Sequence, residues 1–536
     1  MTRHAFSWAI TLMYLASTQG HAAVSLQDLI ESSDQSGGND SAIPPADPLP
    51  TPATLLAAAT EPLAALPATP SPRAAPVPST ADQSLPSPVE RKPGITINYA
   101  LRSTLGLQAE GDPTLGLGNG SSDQGAFLNL SPRAVAQFTP AWSAYTRARL
   151  FLPTSRTRAF DSATPGNAAD QGSKGFADLS ELYLQYGGLT NYPGEAVRLG
   201  QQRIQQTGSE WWDDDIAALR WVIDTTAVSF DVGAARQLFN TRTGDTPIVA
   251  SQRDRNYGFA TAAFDWRPEQ RIGARLLVAR DDDGAPSPGS PIDNDSKLDQ
   301  ARLAWVGLTA ENGFYRPADR QNFNYWADVT SVFGKKTESR SADGVTVTQR
   351  EARDIKGYAA SAGLRWRQKL TSPLSAGLLY TFSTGEYEQS GVQSNASTFA
   401  GTQTLINRYN ETLRAELGNL KVATAFASLK GERNELSTVV SNFARRTGER
   451  GIVTNNVSAA PVNNSKAIGN GLDVVATHYF ATAQRPAVSA EGDARVTQQR
   501  RSFVALRGSA FKPGKAYGPG AKTDYRVLLE VTLWTD

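Results

Sequence analysis

Glu195–Asp224, EAVRLGQQRIQQTGSEWWDDDIAALRWVID, is the stretch whose reading decides the fold. Its two ends alternate. Val197 and Leu199 take turns with Arg198 and Gly200, and Leu219, Trp221 and Ile223 take turns with Ala218, Arg220 and Val222. Period-2 alternation is a strand signal, so the stretch reads as two strands joined by the polar loop 204–215. The residue that alternates with the apolar ones is arginine. A half-buried surface hairpin satisfies that pattern, and so does barrel wall with lipid outside and a charged lumen inside.

The whole chain narrows the choice. It has 536 residues and a net charge of +1, which gives no support to a nucleic-acid partner. It contains no cysteine and only two methionines, both within the first 13 residues. Mean hydropathy is −0.37. Beyond the N-terminus no apolar run approaches the length of a spanning helix. If the protein lives in a membrane, it must cross with strands.

Residues Met1 to about Ala22 predict a secretory signal: Arg3 and His4, then the apolar stretch Ala5–Ala16, then small residues around Gly20-His21-Ala22. Residues 23–93 are rich in Pro, Ala, Ser and Thr, with Pro-Leu-Pro and Pro-Ser-Pro elements. Proline lacks the N–H a ladder needs, and the small residues offer too little apolar surface to offset ordering entropy. This segment predicts a disordered periplasmic arm, either a spacer or a tether for periplasmic export-complex proteins.

From residue 94 to 536 the pattern predicts one all-β domain, a closed antiparallel transmembrane barrel of about 18 strands. The expected strands are 95–107, 126–139, 142–152, 176–188, 195–203, 216–225, 227–239, 255–267, 270–281, 297–309, 323–334, 356–368, 373–387, 408–418, 420–429, 468–480, 499–511 and 523–534. Their connections alternate between long loops (108–125, 153–175, 204–215, 240–254, 282–296, 335–355, 388–407, 430–467) and tight turns such as Pro140-Ala141, Thr226, Pro268-Glu269, Lys369–Ser372 and Asn419. Long loops on one rim and short turns on the other mark an outer-membrane barrel. Closure leaves no unpaired backbone edge in hydrocarbon. The turns 310–322 and 481–498 break the rule by their length.

Assigning each strand's apolar parity to lipid turns the other parity inward. Ile95, Ile97, Tyr99 and Leu101 then face out and Arg102 faces in; Leu128 and Leu130 face out and Arg133 in. The same exercise turns Arg147, Arg149, Arg198, Arg220, Arg275, Arg365, Arg367, Arg408, Arg414, Arg507 and Arg526 inward. The inward acids are Glu181, Asp231, Asp328, Glu416, Asp473 and Glu530, and Lys421 is the main inward lysine. Thirteen arginines facing six carboxylates predict an anion-conducting path, since guanidinium forks recognise carboxylates in bidentate fashion. About half of them are expected to pair with acids and brace the wall.

The run Arg198–Thr226, RLGQQRIQQTGSEWWDDDIAALRWVIDTT, with TRARLFL (146–152) before it and ELYLQYGGL (181–189) between, resembles the alginate-export family of bacterial outer-membrane porins. The likeness covers Ile95 to the C-terminus and is densest between Ala144 and Arg267. It implies an 18-stranded monomeric barrel with a positively charged constriction that passes a polyuronate outward. It also implies a long late periplasmic turn that closes the inner mouth. Ala481–Gln498 is the counterpart by position and carries Arg485, Glu491, Asp493 and Arg495. The chain departs from the family in its longer Pro-rich arm and in ending Leu533-Trp534-Thr535-Asp536 without a terminal aromatic.

Two acidic loops remain. Trp211-Trp212-Asp213-Asp214-Asp215 predicts a rim element, with Trp at the membrane interface and Asp213 capping or bridging to Arg203. Consecutive carboxylates rarely flank a sugar as a glycosidase pair must, so catalysis is not expected. Asp281-Asp282-Asp283 with Asp293 and Asp295 lacks the spacing of a calcium loop. His4, His21 and His478 are too scattered for a metal site or a triad. The expectation is an outer-membrane channel for an anionic polysaccharide such as alginate, bedded in outer-membrane lipid, without catalytic residues, cofactor or metal. The alternatives are a porin for small anionic solutes and a secreted β-rich polysaccharide-processing enzyme.

Overall fold

The computed structural model describes residues 94–535 apart from 156–174, 191, 193, 239–242, 244–253, 283, 293–296, 316–321, 343, 369–372 and 481–500. The expected signal, arm and late turn therefore lie outside the described residues.

Eighteen strands form one closed antiparallel sheet. They are β1 (Thr96–Glu110), β2 (Asp123–Gln137), β3 (Trp142–Pro153), β4 (Phe176–Tyr186), β5 (Glu195–Gln205), β6 (Asp213–Asp224), β7 (Val228–Arg236), β8 (Arg255–Arg267), β9 (Gln270–Asp281), β10 (Asp299–Glu311), β11 (Phe323–Arg340), β12 (Gln349–Gln368), β13 (Leu374–Ser383), β16 (Leu420–Lys430), β17 (Asn434–Arg445), β18 (Ala467–Tyr479), β19 (Phe503–Pro513) and β20 (Asp524–Thr535). The two-residue strands β14 (Ala396–Ser397) and β15 (Ile406–Asn407) pair only with each other, inside the long connection between β13 and β16. Each barrel strand pairs with its sequence neighbours, and β1 closes the ring on β20 with Gly106 opposite Glu530. Closure satisfies every ladder and leaves no edge for hydrocarbon to meet.

The pleat sorts the side chains. Leu105, Leu107, Leu150, Leu182, Leu199, Leu219, Leu276, Leu308, Val329, Leu364 and Leu378 stand exposed on the outer face. Thr104, Asn129, Arg147, Glu181, Arg198, Arg220, Arg275 and Arg365 are buried on the inner one. Among the described residues no helix is long and apolar enough to cross a membrane. An apolar outside with a polar inside inverts the soluble sandwich and is the arrangement a bilayer demands.

The strand total matches the expectation, but one strand does not. Residues 408–418 are not a strand. Asn410 and Arg414 have positive φ (64° and 45°), which no extended strand accommodates. Its place in the ring is taken by β17, inside the expected loop 430–467. The tight turn next to it is Gly431–Arg433, and the long connections are 384–419 and 446–466. The reason is visible in the side chains. Tyr409, Leu413, Ala415 and Leu417 alternate like a strand, yet all are buried inside the barrel. On β17, Val439 and Phe443 face in while Leu436 and Val440 face out, so apolar residues on both faces blur the period-2 signal. Lys421 also differs from its expected direction. Val422 and Phe426 take the inward parity of β16, and Lys421 is exposed on the outer face.

Candidate functional site: the arginine wall and the folded-in loops

The inner space is not left to water. The loop 206–212 turns inward from β5 and β6. Trp211 lies in the barrel interior: its ring is 4.4 Å from the Arg275 guanidinium and its indole N–H donates to Thr330 Oγ1 at 3.1 Å. Trp212 packs on Tyr257 and Phe259 of β8. Both rings are buried and find their partners on inward-facing strand positions, so neither stands at the lipid interface. Asp213 does bridge Arg203, at 2.8 Å.

The connection 384–419 folds in beside it. The two loops share backbone bonds: Asp213 N–H donates to Val392 O at 2.7 Å and Asn395 N–H to Ser209 O at 3.0 Å. Between them lies an ion pair. Arg408, fully buried, brings Nη1 to 2.7 Å from Glu210 Oε2. Tyr409 O–H donates to the other Glu210 oxygen. Arg408 is also stacked near the rings of Tyr315 and Tyr409.

From there 384–419 is sewn to the wall. Trp305 of β10 donates to Glu388 O, and Lys336 of β11 and Arg353 of β12 reach the Glu388 carboxylate. Thr402 meets Ser437 of β17 at 3.0 Å, and Thr404 meets Thr477 of β18 at 3.0 Å. Arg507 of β19 donates to Leu405 O at 2.9 Å. Asn410 donates to Asp473 Oδ1 of β18 at 3.0 Å, and Arg526 of β20 donates to Glu411 O at 3.0 Å. These anchors run along β10–β12 and β17–β20. Burial raises the Glu411 carboxyl, but the charges of Arg414 and Arg507 outweigh that and hold it below the usual glutamate range.

The thirteen arginines fall into three groups. Arg147 pairs with Glu181 at 2.6 Å and Asp215 at 2.9 Å, Arg220 with Asp231 at 2.6 Å, Arg275 with Asp328, Arg507 with Glu530 at 2.9 Å, and Arg526 with Glu110 at 2.8 Å. Arg408 and Arg414 carry ion pairs too, but on the folded-in segment rather than on the wall, with Arg414 at 2.9 Å from Glu411. Glu416 is on that segment as well and accepts from Asn455. The rest sit on inward strand positions. Arg133 stacks on Trp534, and Arg149 meets the Asn129 amide and the rings of Phe151 and Phe176. Arg198 meets the Gln185 amide and the Tyr183 ring, and Arg365 meets Asn324 and the Gly313 carbonyl. Arg102 and Arg367 are half-buried on the inward parity of β1 and β12.

Sequence parity undercounted the acids. Glu110, Glu210, Asp213, Asp281, Glu411 and Glu435 are also buried. Asp281 is held by Arg255 at 2.7 Å and Lys297 at 3.0 Å, so the acidic stretch that begins there spends its first carboxylate on cations. Asp283, Asp293 and Asp295 lie outside the described residues. Among the described residues no group of three or more His, Asp or Glu is placed to hold a metal.

One feature of the wall stands out against this neutralisation. Arg133 of β2 is directly opposite Arg147 of β3, and Arg198 of β5 is directly opposite Arg220 of β6. Directly opposed like charges destabilise a sheet. The chain accepts that cost twice on the same side of the barrel.

A family model for alginate export matches residues 96–527. The chain belongs to the alginate export family. It is 31% identical to the alginate production protein AlgE of Pseudomonas aeruginosa over 456 residues, covering 82% of this chain and 91% of that protein. It is 29% identical to AlgE of Pseudomonas syringae pv. tomato over 468 residues, covering 82% and 93%. Among solved structures, a BenF-like porin from Pseudomonas fluorescens matches at TM-score 0.48 and 9% identity, over 82% of this chain and 98% of that one. This alginate export family barrel is a channel of the bacterial outer membrane, not an enzyme. What sequence reading of this family member missed is Glu210 and the segment it anchors. A loop residue has no parity, and only the unusual length of the connection could have hinted that it turns inward.

Proposed function

We propose that the chain passes an anionic polyuronate, alginate or a near relative, outward through the side of the lumen bounded by β2–β6. The observation that carries this reading is the pair of facing arginine couples, Arg133 with Arg147 and Arg198 with Arg220. In each couple one member, Arg147 or Arg220, is engaged by acids, and the other, Arg133 or Arg198, lies against an aromatic ring, from which it meets a passing polymer carboxylate. Arg198 supports the assignment most directly: its guanidinium is held by an amide and a ring, and among the described residues Nη2 has no hydrogen-bond partner. Many weak guanidinium contacts admit and release a polyanion, where one strong site would trap it.

The folded-in segment 384–419 borders the same path, anchored along β10–β12 and β17–β20 and touching the β2–β6 side through Asp213 and the loop 206–212. The remaining arginines brace that packing. The late turn with Arg485, Glu491, Asp493 and Arg495 closes the inner mouth in this reading, and its deletion raises conductance. A single copy suffices, because β1 closes on β20 without a second chain, and the Pro-rich arm serves as the tether for a periplasmic partner.

The test is the reversal potential of the purified protein in a planar bilayer under a salt gradient, with and without polymannuronate. Anion selectivity that the polymer blocks is the expected result. Arg133→Ser with Arg198→Ser lowers both selectivity and block. Selectivity unchanged in that variant refutes the path.

A further inference from the structure

On the outside of the barrel, at the end of the strands away from the short turns, a second row of cations stands in register. Arg280 of β9 is directly opposite Arg302 of β10, and Arg302 is directly opposite Lys335 of β11. All three are exposed on the lipid-facing parity. Lys335 is opposite Asp354 of β12, and Lys356, two residues along that strand and opposite Phe333, extends the row. Four cations thus share one face with one carboxylate.

The protein balances them only in part: Asp354 faces Lys335, and Asp282 feels the charge of Arg280. Among the described residues no hydrogen bond or ion pair engages Arg302, Lys335 or Lys356. The two carboxylates that follow Arg280 are engaged elsewhere, Asp281 by Arg255 and Lys297 and Asp282 by Arg236 at 2.8 Å. Facing residues on neighbouring strands lie about 4.5–5.5 Å apart, so the three like charges repel across two successive strand pairs. An external anion level with the row relieves that repulsion.

Position says which anion. Below the row the same parity is apolar: Val278, Leu276 and Ile272 on β9, Val306 and Leu308 on β10, and Phe333 and Val329 on β11 are exposed. At the other end of this surface stand Trp266, Phe323 and Trp366. From Ile272 to Arg280 the strand rises about 27 Å. At the usual tilt that spans about 20 Å of bilayer, close to the apolar band of about 25 Å on such barrels. The cations begin where the hydrocarbon ends, on the rim with the long loops, which is the cell exterior. They are therefore level with lipid headgroups and not with bulk solution or lumen.

We propose that Arg280, Arg302, Lys335 and Lys356 form a binding site for the phosphate groups of a phosphorylated glycolipid of the outer leaflet. Arginine forks and lysine ammonium groups on adjacent strands match two phosphates of one headgroup, while its acyl chains lie on Leu276, Val306 and Phe333. The site faces away from the lumen and is independent of the polymer path.

The test uses the full-length protein in detergent with bis-phosphorylated lipid A as probe, read by native mass spectrometry and by titration. Lipid A is retained, and Arg302→Ser with Lys335→Ser weakens binding by about tenfold or more, since each change removes a charge-assisted bond to phosphate. Lys335→Arg keeps the affinity. Heat-modifiable mobility on gels reports whether each variant is folded. Dephosphorylated lipid A titrated into the unmodified protein keeps the test decisive if the double variant fails to fold: weaker binding supports the site, and equal binding overturns it. Inorganic phosphate binding as tightly as lipid A overturns a lipid site in favour of a free-anion site. Polymannuronate displacing lipid A at stoichiometric concentration assigns the row to the polymer and also overturns it.

Discussion

Replacing Arg408 with methionine is the sharpest probe of the folded-in segment. The side chain is fully buried and its nearest opposite charge is Glu210 at 2.7 Å. Methionine roughly fills the volume, but the Glu210 carboxylate then keeps the Tyr409 hydroxyl and the more distant charge of Arg275 in place of a direct ion pair. Removing one partner of a buried ion pair costs about 3–5 kcal/mol, because the other charge stays desolvated. If that cost falls on the seating of 384–419 against 206–212, the ratio of seated to unseated segment drops by roughly 150- to 4,000-fold. Single-channel recording in planar bilayers reads it directly. The variant is expected to show frequent excursions to higher conductance that the unmodified channel lacks. Adding Glu210→Gln removes the stranded charge and suppresses most of them, a coupling that a double-mutant cycle quantifies. An Arg408→Met channel with unchanged conductance and noise, in a normally folded barrel, refutes the role given to this ion pair.

Other outcomes follow from the same packing. Thr402 and Ser437 place their hydroxyl oxygens 3.0 Å apart across the segment and β17. The chain has no cysteine, so Thr402→Cys with Ser437→Cys forms a single disulfide, and a gel-shift assay with mass spectrometry detects it. That bond silences the excursions of Arg408→Met until a reductant is added. At Gly307, an added Cβ would stand 2.5 Å from the Trp211 ring. Gly307→Ala therefore unseats Trp211 at a cost of about 1–3 kcal/mol, read as a lower melting temperature that Trp211→Leu partly restores. Glu411 is held below the ordinary glutamate value, with burial opposing and Arg414 and Arg507 prevailing. A depressed carboxyl stabilises the fold above its unfolded pKa, about 4.3, and that contribution is lost as pH falls through the folded value. Acidification below that point loosens the segment and raises conductance, and Glu411→Gln abolishes this pH dependence.

Much of the architecture was legible in the chain. Alternation in 195–205 and 213–224, tight turns such as Pro268-Glu269, and the wall arginines at 147, 198, 220, 275 and 365 all follow from a period of two imposed by lipid on one side. That period is local: it depends only on which residues flank each other, so sequence carries it in full. The error at 408–418 has the complementary cause. Tyr409, Leu413, Ala415 and Leu417 alternate because they pack inside the barrel, and the positive φ of Asn410 and Arg414 that stops a strand there is dictated by distant anchors, Asp473, Ser509 and Arg526. Trp211 and Trp212 resemble an interfacial pair until their partners are seen, Arg275 and Thr330 for one and Tyr257 and Phe259 for the other, all on other strands. The sequence by itself thus determined that a barrel forms and, on most strands, which parity faces lipid, while the count of 18 leaned on the family resemblance and matched with 408–418 standing in for β17. Tertiary structure alone decided what fills the barrel and which arginines are neutralised, because an ion pair such as Arg408 with Glu210 joins residues far apart in the chain, and no local pattern records where a loop without parity comes to rest.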